Sequence, residues 1–225
     1  LSLFGAMPYL LSKSVPNFTD GFFEALSGFT TTGATILTRL ENLPKDILLW
    51  RSMTQWMGGF AIIVFTIAIL PYLGMSGMQL FVAEINDINY DKLHPRIMHT
   101  VWRVWGLYLF FTLLETLLLY WGDMDFFDAL CHSMTTISSG GFSTRTESLG
   151  AFSNYSQVVV SVFMVLSGCN FSLLLLSMGR KHFSIFKNQE FKTFLLYIIV
   201  LGIAIGLVLL FVRHMSLGTA FRQSF

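Results

Sequence analysis

Two short runs of small polar residues have the composition needed to coordinate a cation. They are TTTGAT, residues Thr30–Thr35, and SSGGFS, residues Ser138–Ser143. Glycine permits backbone conformations that turn successive carbonyl oxygens towards one side, and Ser and Thr hydroxyls add oxygen atoms without bulk. Neither run contains a charged residue. Backbone oxygens of this kind replace the water shell of a monovalent cation and still let the ion leave.

Each run follows a short apolar segment that we expect to be a helix. FFEAL (Phe22–Leu26) precedes the first run and FFDAL (Phe126–Leu130) precedes the second. The spacing from the motif to the glycine, Gly33 or Gly141, is longer in the second copy by about one helical turn. We therefore expect the second short helix to be one turn longer. The C-terminal ends of both helices would carry partial negative charge that favours a cation.

Long apolar segments must position these runs. The chain is 54% hydrophobic and only 12% charged, whereas soluble domains carry about 25% charged residues. Roughly 20 apolar residues span the hydrocarbon core of a bilayer. The sequence therefore predicts an all-α integral membrane protein and excludes a soluble domain. The predicted spanning segments are Met53–Leu73, Val101–Trp121, Val158–Met178 and Phe194–Val212.

The order helix, polar run, helix occurs twice, which indicates a tandem repeat. Non-helical backbone is tolerated within a bilayer only where protein buries it or where it lines water, so we expect re-entrant pore loops as in potassium channels. The sequence predicts a first repeat over 1–73, a linker over 74–99 and a complete second repeat over 100–178. A basic linker over 179–193 and a truncated third repeat over 194–225 would follow.

Charged residues are distributed unequally between the two sides of the predicted membrane segment. Basic residues divide evenly, whereas acidic residues concentrate on the side of the loops. An acidic mouth raises the local concentration of cations. The net charge of +1 gives no reason to expect a nucleic-acid partner.

Three further features stand out within or next to the predicted spans. Glu115 is a carboxyl inside a span, where such a group is costly and either functional or hydrogen-bonded to a neighbouring helix. Arg51 and Gln55 lie one turn apart, and we interpret them as an anchor at the membrane interface or as packing against the short helix. Gly58 and Gly59 suit close packing against the short helices.

The chain resembles the membrane subunits of bacterial Trk-type potassium uptake systems, which belong to a wider superfamily of potassium transporters. The resemblance covers essentially the whole chain. The segments that carry it are GFTTTGAT, WRSMTQWMGGFAIIVFTIAILPYLG, HSMTTISSGGFSTRTESLGAFSN, FMVLSGCNFSLLL and FRQSF.

The resemblance implies four membrane–pore–membrane repeats around a single selectivity filter, with one key glycine from each loop. Here those glycines are Gly33 and Gly141. Because Gly140 and Gly141 are consecutive, the second loop can also be aligned with the family one residue earlier. Potassium would bind at Thr31, Thr32, Ser139 and Gly140.

The resemblance further implies potassium uptake across the bacterial inner membrane, with the loops facing outwards and the linkers facing the cytoplasm. It implies a homodimer and a cytosolic nucleotide-binding regulatory subunit as partners.

Three other functions are compatible with parts of the sequence. A channel or symporter for sodium or another monovalent cation would use the same loops. An intramembrane hydrolase would use Ser138, Ser139 and His132, but the G-x-S-x-G nucleophile motif is absent from the sequence. A carrier of another solute would need a charged ligand, which the loops lack. We therefore expect a cation transporter and not an enzyme.

Overall fold

A computed structural model describes residues 1–69, 93–169, 171, 174 and 188–213, and these residues form α-helices and short 3-10 turns joined by loops. The predicted all-α membrane architecture is confirmed. The chain divides into two compact units, Leu1–Gly168 and Cys169–Phe225. The first unit contains α1 (Ser2–Gly5), α2 (Met7–Leu11), α3 (Phe18–Phe29), α4 (Lys45–Ile69), α5 (Leu93–Tyr120), α6 (Phe126–Ile137) and α7 (Asn154–Ser167), and the second contains α8 (Gln189–Arg213).

Helices α4, α5 and α8 are long and apolar enough to cross a membrane, over Lys45–Thr66, His99–Tyr120 and Phe191–Phe211. Helix α7 is a shorter apolar helix in the part of the chain that the structure describes. Most of the remainder of its predicted span, towards Met178, lies outside the described residues, as does FRQSF. Most of both predicted linkers lies outside them too.

The two short helices that precede the polar runs, α3 and α6, each contain 12 residues. The expectation that α6 would be one turn longer is therefore wrong. Helix α3 begins at Phe18, ahead of its FFEAL motif, whereas α6 begins at Phe126, the first residue of FFDAL. The start of α6 is set by Asp125, whose carboxylate accepts a hydrogen bond of 3.1 Å from the backbone N–H of Asp128.

Helix α4 lies against both short helices and so connects the two repeats. A Cβ atom on Gly58 would collide with the carbonyl group of Phe29 at the end of α3. A Cβ atom on Gly59 would lie 2.7 Å from the Cβ of Ser138 at the end of α6. The predicted role of both glycines in close packing is confirmed, and it brings α4 directly against the beginnings of both loops.

Polar and apolar contacts among α4, α5, α6 and α7 hold α6 in place. The Tyr108 hydroxyl of α5 donates to the carbonyl of Trp56 in α4 at 2.9 Å. The hydroxyls of Thr116 in α5 and Ser133 in α6 lie 2.6 Å apart. An apolar cluster of Leu119, Met124, Ala129 and Val160 packs α5, α6 and α7 together. The second short helix is thus held on three sides.

Candidate ion-binding loops

The first loop begins where α3 ends in a Schellman motif. The backbone N–H of Thr31 donates to the carbonyl of Gly28, and the N–H of Thr32 donates to the carbonyl of Ser27, both at 2.9 Å. This pair of bonds closes the helix and turns the chain sharply. It uses the N–H groups of the two threonines, whose carbonyl groups accept no hydrogen bond from the described residues.

The second loop repeats this arrangement at the end of α6. The N–H of Ser139 donates to the carbonyl of Thr136 at 2.9 Å, and the N–H of Gly140 donates to the carbonyl of Thr135 at 2.8 Å. The four residues have the same relation to their helix as those of the first loop. The repeat seen in the sequence is therefore a repeat of backbone geometry as well.

The backbone of both loops alternates in and out of the left-handed region. The angle φ is +54° at Thr31 and +76° at Gly33, and it is +55° at Ser139 and +79° at Gly141. Glycine takes this conformation readily, whereas an L-residue pays about 1–2 kcal/mol for it. The matching angles give Gly141 the same position in its loop as Gly33 has in the first.

The two loops meet at Gly33. A Cβ atom on Gly33 would collide with the carbonyl oxygen of Gly140, whereas a Cβ atom on Gly141 would have no atom within 4 Å. Gly33 is therefore needed for close approach and for its positive φ, and Gly141 for its φ alone.

Most carbonyl oxygens of the two loops accept no hydrogen bond from the described residues. No hydrogen bond to the carbonyl oxygens of Thr31, Thr32, Gly33, Ser139 or Gly141 occurs in the part of the chain that the structure describes. The carbonyl of Gly140 differs, because it accepts a hydrogen bond of 2.9 Å from Nε2 of Gln55. Several unpaired oxygens in a confined space are what a desolvated cation requires.

Arg51 of α4 binds both loops. It is 1% exposed, which excludes the first of the two interpretations from the sequence, the anchor at the membrane interface. Its Nη1 donates to the carbonyl of Ser143 at 3.1 Å, and its Nη2 donates to the hydroxyl of Thr35 at 3.2 Å. Its guanidinium also lies 4.2 Å from the ring centre of Phe142.

Gln55, one turn further along α4, binds only the second loop. It is fully buried, and besides donating to Gly140 it accepts a hydrogen bond of 3.0 Å from the backbone N–H of Phe142. Packing against the short helix, the other interpretation from the sequence, holds for Arg51, whose Nε lies 3.6 Å from Oε2 of Glu24 in α3. The hydrogen bonds of both residues to the loops were not predicted. The available signal was the pair of polar side chains one turn apart in an apolar span, where such groups require partners.

Glu24 and His132 occupy equivalent positions in α3 and α6, and each binds the returning chain of its own loop. Oε1 of Glu24 accepts hydrogen bonds from the hydroxyl of Thr35 and, at 2.8 Å, from the N–H of Ile36. Nε2 of His132 lies 3.0 Å from the hydroxyl of Ser143. Glu24 is fully buried and therefore does not contribute to the acidic side of the loops that the sequence predicts.

The serine and histidine residues of the hydrolase alternative are not assembled as a catalytic pair. The hydroxyl of Ser138 donates to the carbonyl of Met134 at 2.9 Å, and the hydroxyl of Ser139 lies 3.2 Å from that of Ser167.

Glu115 is fully buried beside Thr136 and forms no ion pair among the described residues.

The segments that follow the two loops are also joined by hydrogen bonds. Glu41 accepts hydrogen bonds from the hydroxyl of Thr146 at 2.6 Å and from its backbone N–H at 2.7 Å. These bonds lower the pKa of Glu41 to about 2. The N–H of Leu40 donates to the same Thr146 hydroxyl at 3.2 Å. The segment after the first loop thus remains attached to the segment after the second.

A family model described as TrkH, cation transport protein, matches residues 1–215. The chain belongs to the TrkH family. It is 43% identical over 194 residues to a Trk system potassium uptake protein TrkH of Escherichia coli K12, covering 84% of this chain and 38% of that protein. It is 41% identical over 219 residues to the protein of the same name from Vibrio parahaemolyticus, covering 94% of this chain and 44% of that protein.

The fold of this TrkH family member is also that of a solved structure. The crystal structure of the potassium transporter TrkH from Vibrio parahaemolyticus superposes with a TM-score of 0.88 at 35% identity, over 100% of this chain and 46% of that one. The chain therefore spans less than half the length of the relatives it matches. It is a multi-pass segment of a bacterial inner-membrane protein.

Proposed function

We propose that the two loops form part of a potassium-selective filter and that the protein takes up potassium across the bacterial inner membrane. The observation that carries the proposal is the repeated alternation of left-handed residues in two loops that meet at Gly33 and Gly140. Similar proteins named as potassium uptake proteins and as a potassium transporter support it.

In this proposal potassium is the transported substrate, and backbone oxygens replace its water shell. The carbonyl groups of Thr31, Thr32 and Ser139 are its ligands. The carbonyl of Gly140 contributes through its second lone pair, because the first is used by Gln55. Gly33 and Gly141 are the key glycines that allow the two loops their shape.

Two electrostatic features favour a cation at these loops. The C-terminal ends of α3 and α6 lead directly into them, and each helix end carries about −0.5 of an elementary charge. The sequence also predicts that acidic residues concentrate on the same side of the membrane. Both effects raise the occupancy of a cation without placing a charged ligand in its path.

Two loops do not close a ring, so the proposal includes further repeats of the same kind. Residues 1–73 and 100–178 are proposed as two membrane–pore–membrane repeats, with linkers over 74–99 and 179–193 and the beginning of a third repeat over 194–225. We also propose a homodimer, a cytosolic nucleotide-binding regulatory subunit and no enzymatic activity. The names of the relatives, which refer to a Trk system, support an assembly of several components.

The test replaces the two glycines by alanine in the intact protein. Strain of about 1–2 kcal/mol from the positive φ slows uptake by roughly tenfold, since each 1.36 kcal/mol of barrier is tenfold in rate. Gly33→Ala has the larger effect, because its methyl group also displaces the carbonyl of Gly140. The measurement is the initial rate of potassium uptake by cells that lack their own uptake systems.

Gly106→Ala is the matched control, because Gly106 lies in α5 with open space around its Cβ position. Its rate should equal that of the wild type. Unchanged potassium uptake and unchanged preference over sodium in both loop variants would contradict the proposed function.

A further inference from the structure

We propose that Arg51 and Gln55 are positioning residues that set the selectivity of the filter by holding the first and second loops at a fixed spacing. The inference rests on the proposed function, because selectivity has meaning only if the loops bind the ion. Neither side chain is proposed as a ligand of the ion. Both belong to α4, which follows the first loop, yet most of their hydrogen bonds are made to the second loop.

Arg51 joins the two loops through a single rigid group. One end of its guanidinium binds Thr35 in the first loop and the other binds Ser143 in the second, at 3.2 and 3.1 Å. The planar guanidinium presents its donors in a fixed geometry, which a lysine ammonium does not. The distance between these two points is therefore set by the dimensions of one guanidinium.

Gln55 holds the second loop with both ends of its amide. Nε2 donates to the carbonyl of Gly140 and Oε1 accepts from the N–H of Phe142. The reverse orientation of the amide would place donor against donor and acceptor against acceptor, so the backbone partners determine it. The peptide groups on either side of Gly141 are thereby fixed in place.

This contact explains why the second loop contains two consecutive glycines. A Cβ atom on Gly140 would overlap the amide of Gln55, whereas Gly141 is required for its positive φ. The first loop has Thr32 at the position equivalent to Gly140. The second glycine therefore makes room for the side chain of α4.

Glu24 supports this arrangement from α3. Its Oε2 lies 3.6 Å from Nε of Arg51, and its Oε1 accepts from the same Thr35 hydroxyl that Arg51 binds. A continuous polar network thus runs from the first short helix through α4 to the backbone of the second loop. All of its charged members are almost completely buried.

A fixed spacing between loops bears directly on the choice of ion. Sodium is smaller than potassium, so the carbonyl oxygens must move inwards to coordinate it as closely. Groups that hold the two loops apart oppose this movement and penalise sodium. If they are removed, the oxygens adapt to the smaller ion while potassium remains bound.

The experiment measures potassium and sodium uptake by the intact protein in proteoliposomes, for the wild type and for Arg51→Lys and Gln55→Met. Lysine retains the charge beside Glu24 but cannot bind both loops, and methionine retains the volume of glutamine without its hydrogen bonds. We expect the ratio of potassium to sodium uptake to fall about tenfold in each, which corresponds to about 1.4 kcal/mol of selectivity, while potassium uptake continues.

Ser52→Ala is the matched control, because Ser52 is a buried residue of the same helix whose hydroxyl donates to the carbonyl of Leu48 within α4. Its uptake ratio should match that of the wild type. Thr35→Val provides a milder variant at an exposed residue, should the replacements in α4 prevent folding, and its ratio should also fall.

An unchanged ratio in the folded variants would overturn the inference, and so would an equal fall in Ser52→Ala. A wild-type protein that shows no preference for potassium would instead overturn the proposed function. The two failures are thus distinguished by the wild-type measurement alone.

Discussion

At the scale of single residues, the loops depend on buried polar side chains that would be unfavourable without partners. Glu24 and Arg51 are 0% and 1% exposed and lie 3.6 Å apart. A buried charge is tolerated only when it is paired and hydrogen-bonded. Both residues meet this condition by binding the loops, so the stability of the pair and the shape of the loops are linked.

We predict that Glu24→Gln lowers the free energy of unfolding by about 3–5 kcal/mol, because it leaves Arg51 as an uncompensated buried charge. Unfolding of the purified protein in detergent measures this change. Glu147→Gln, at an exposed residue, serves as the control and should leave stability unchanged within about 0.5 kcal/mol.

Combining Glu24→Gln with Arg51→Met extends this prediction to a double-mutant cycle. The double variant should lose less than the sum of the two single losses, because residues in direct contact do not act additively. Strict additivity would show that the two side chains do not stabilise each other.

At the scale of helices, α4 is the element on which both loops depend. It packs against α3 and α6 through adjacent glycines and supplies the two side chains that bind the second loop. A helix that follows the first loop therefore organises the second loop as well. Displacement of α4 would change both loops together.

We predict that Gly58→Ala destabilises the protein by about 1–3 kcal/mol, because its methyl group would collide with the carbonyl of Phe29 and overpack the contact with α3. Thermal unfolding of the purified protein tests this expectation. At Gly106, where space is open, the same substitution should be neutral or stabilising by up to about 1 kcal/mol, from helix propensity. Equal melting temperatures for the two variants would contradict the packing role of Gly58.

At the scale of the whole molecule, much of the architecture could be predicted from the sequence. Composition and the length of apolar runs indicate membrane helices, and the repeated polar runs indicate paired loops with Gly33 and Gly141 at corresponding positions. These signals come from residues close together in the sequence, so they can be recognised without knowing how the helices pack. The family resemblance gave the same architecture.

What could not be predicted depends on contacts between distant parts of the chain. The hydrogen bond from Gln55 to Gly140 joins residues 85 positions apart, and no local pattern indicates which face of α4 meets the second loop. The lengths of the short helices were also missed. The motif FFDAL lies about one helical turn further from its glycine than FFEAL does. Because α3 begins ahead of its motif and α6 begins at its motif, the two helices nevertheless have the same length.

In the proposed function, backbone oxygens of both loops bind potassium together. Anomalous diffraction from crystals of the intact protein grown with rubidium or thallium tests it most directly, since these ions substitute for potassium and scatter strongly. We expect an anomalous peak between the loops, within coordination distance of the carbonyl oxygens of Thr31, Thr32 and Ser139. Absence of a peak there, with those oxygens hydrogen-bonded inside the protein, would contradict it.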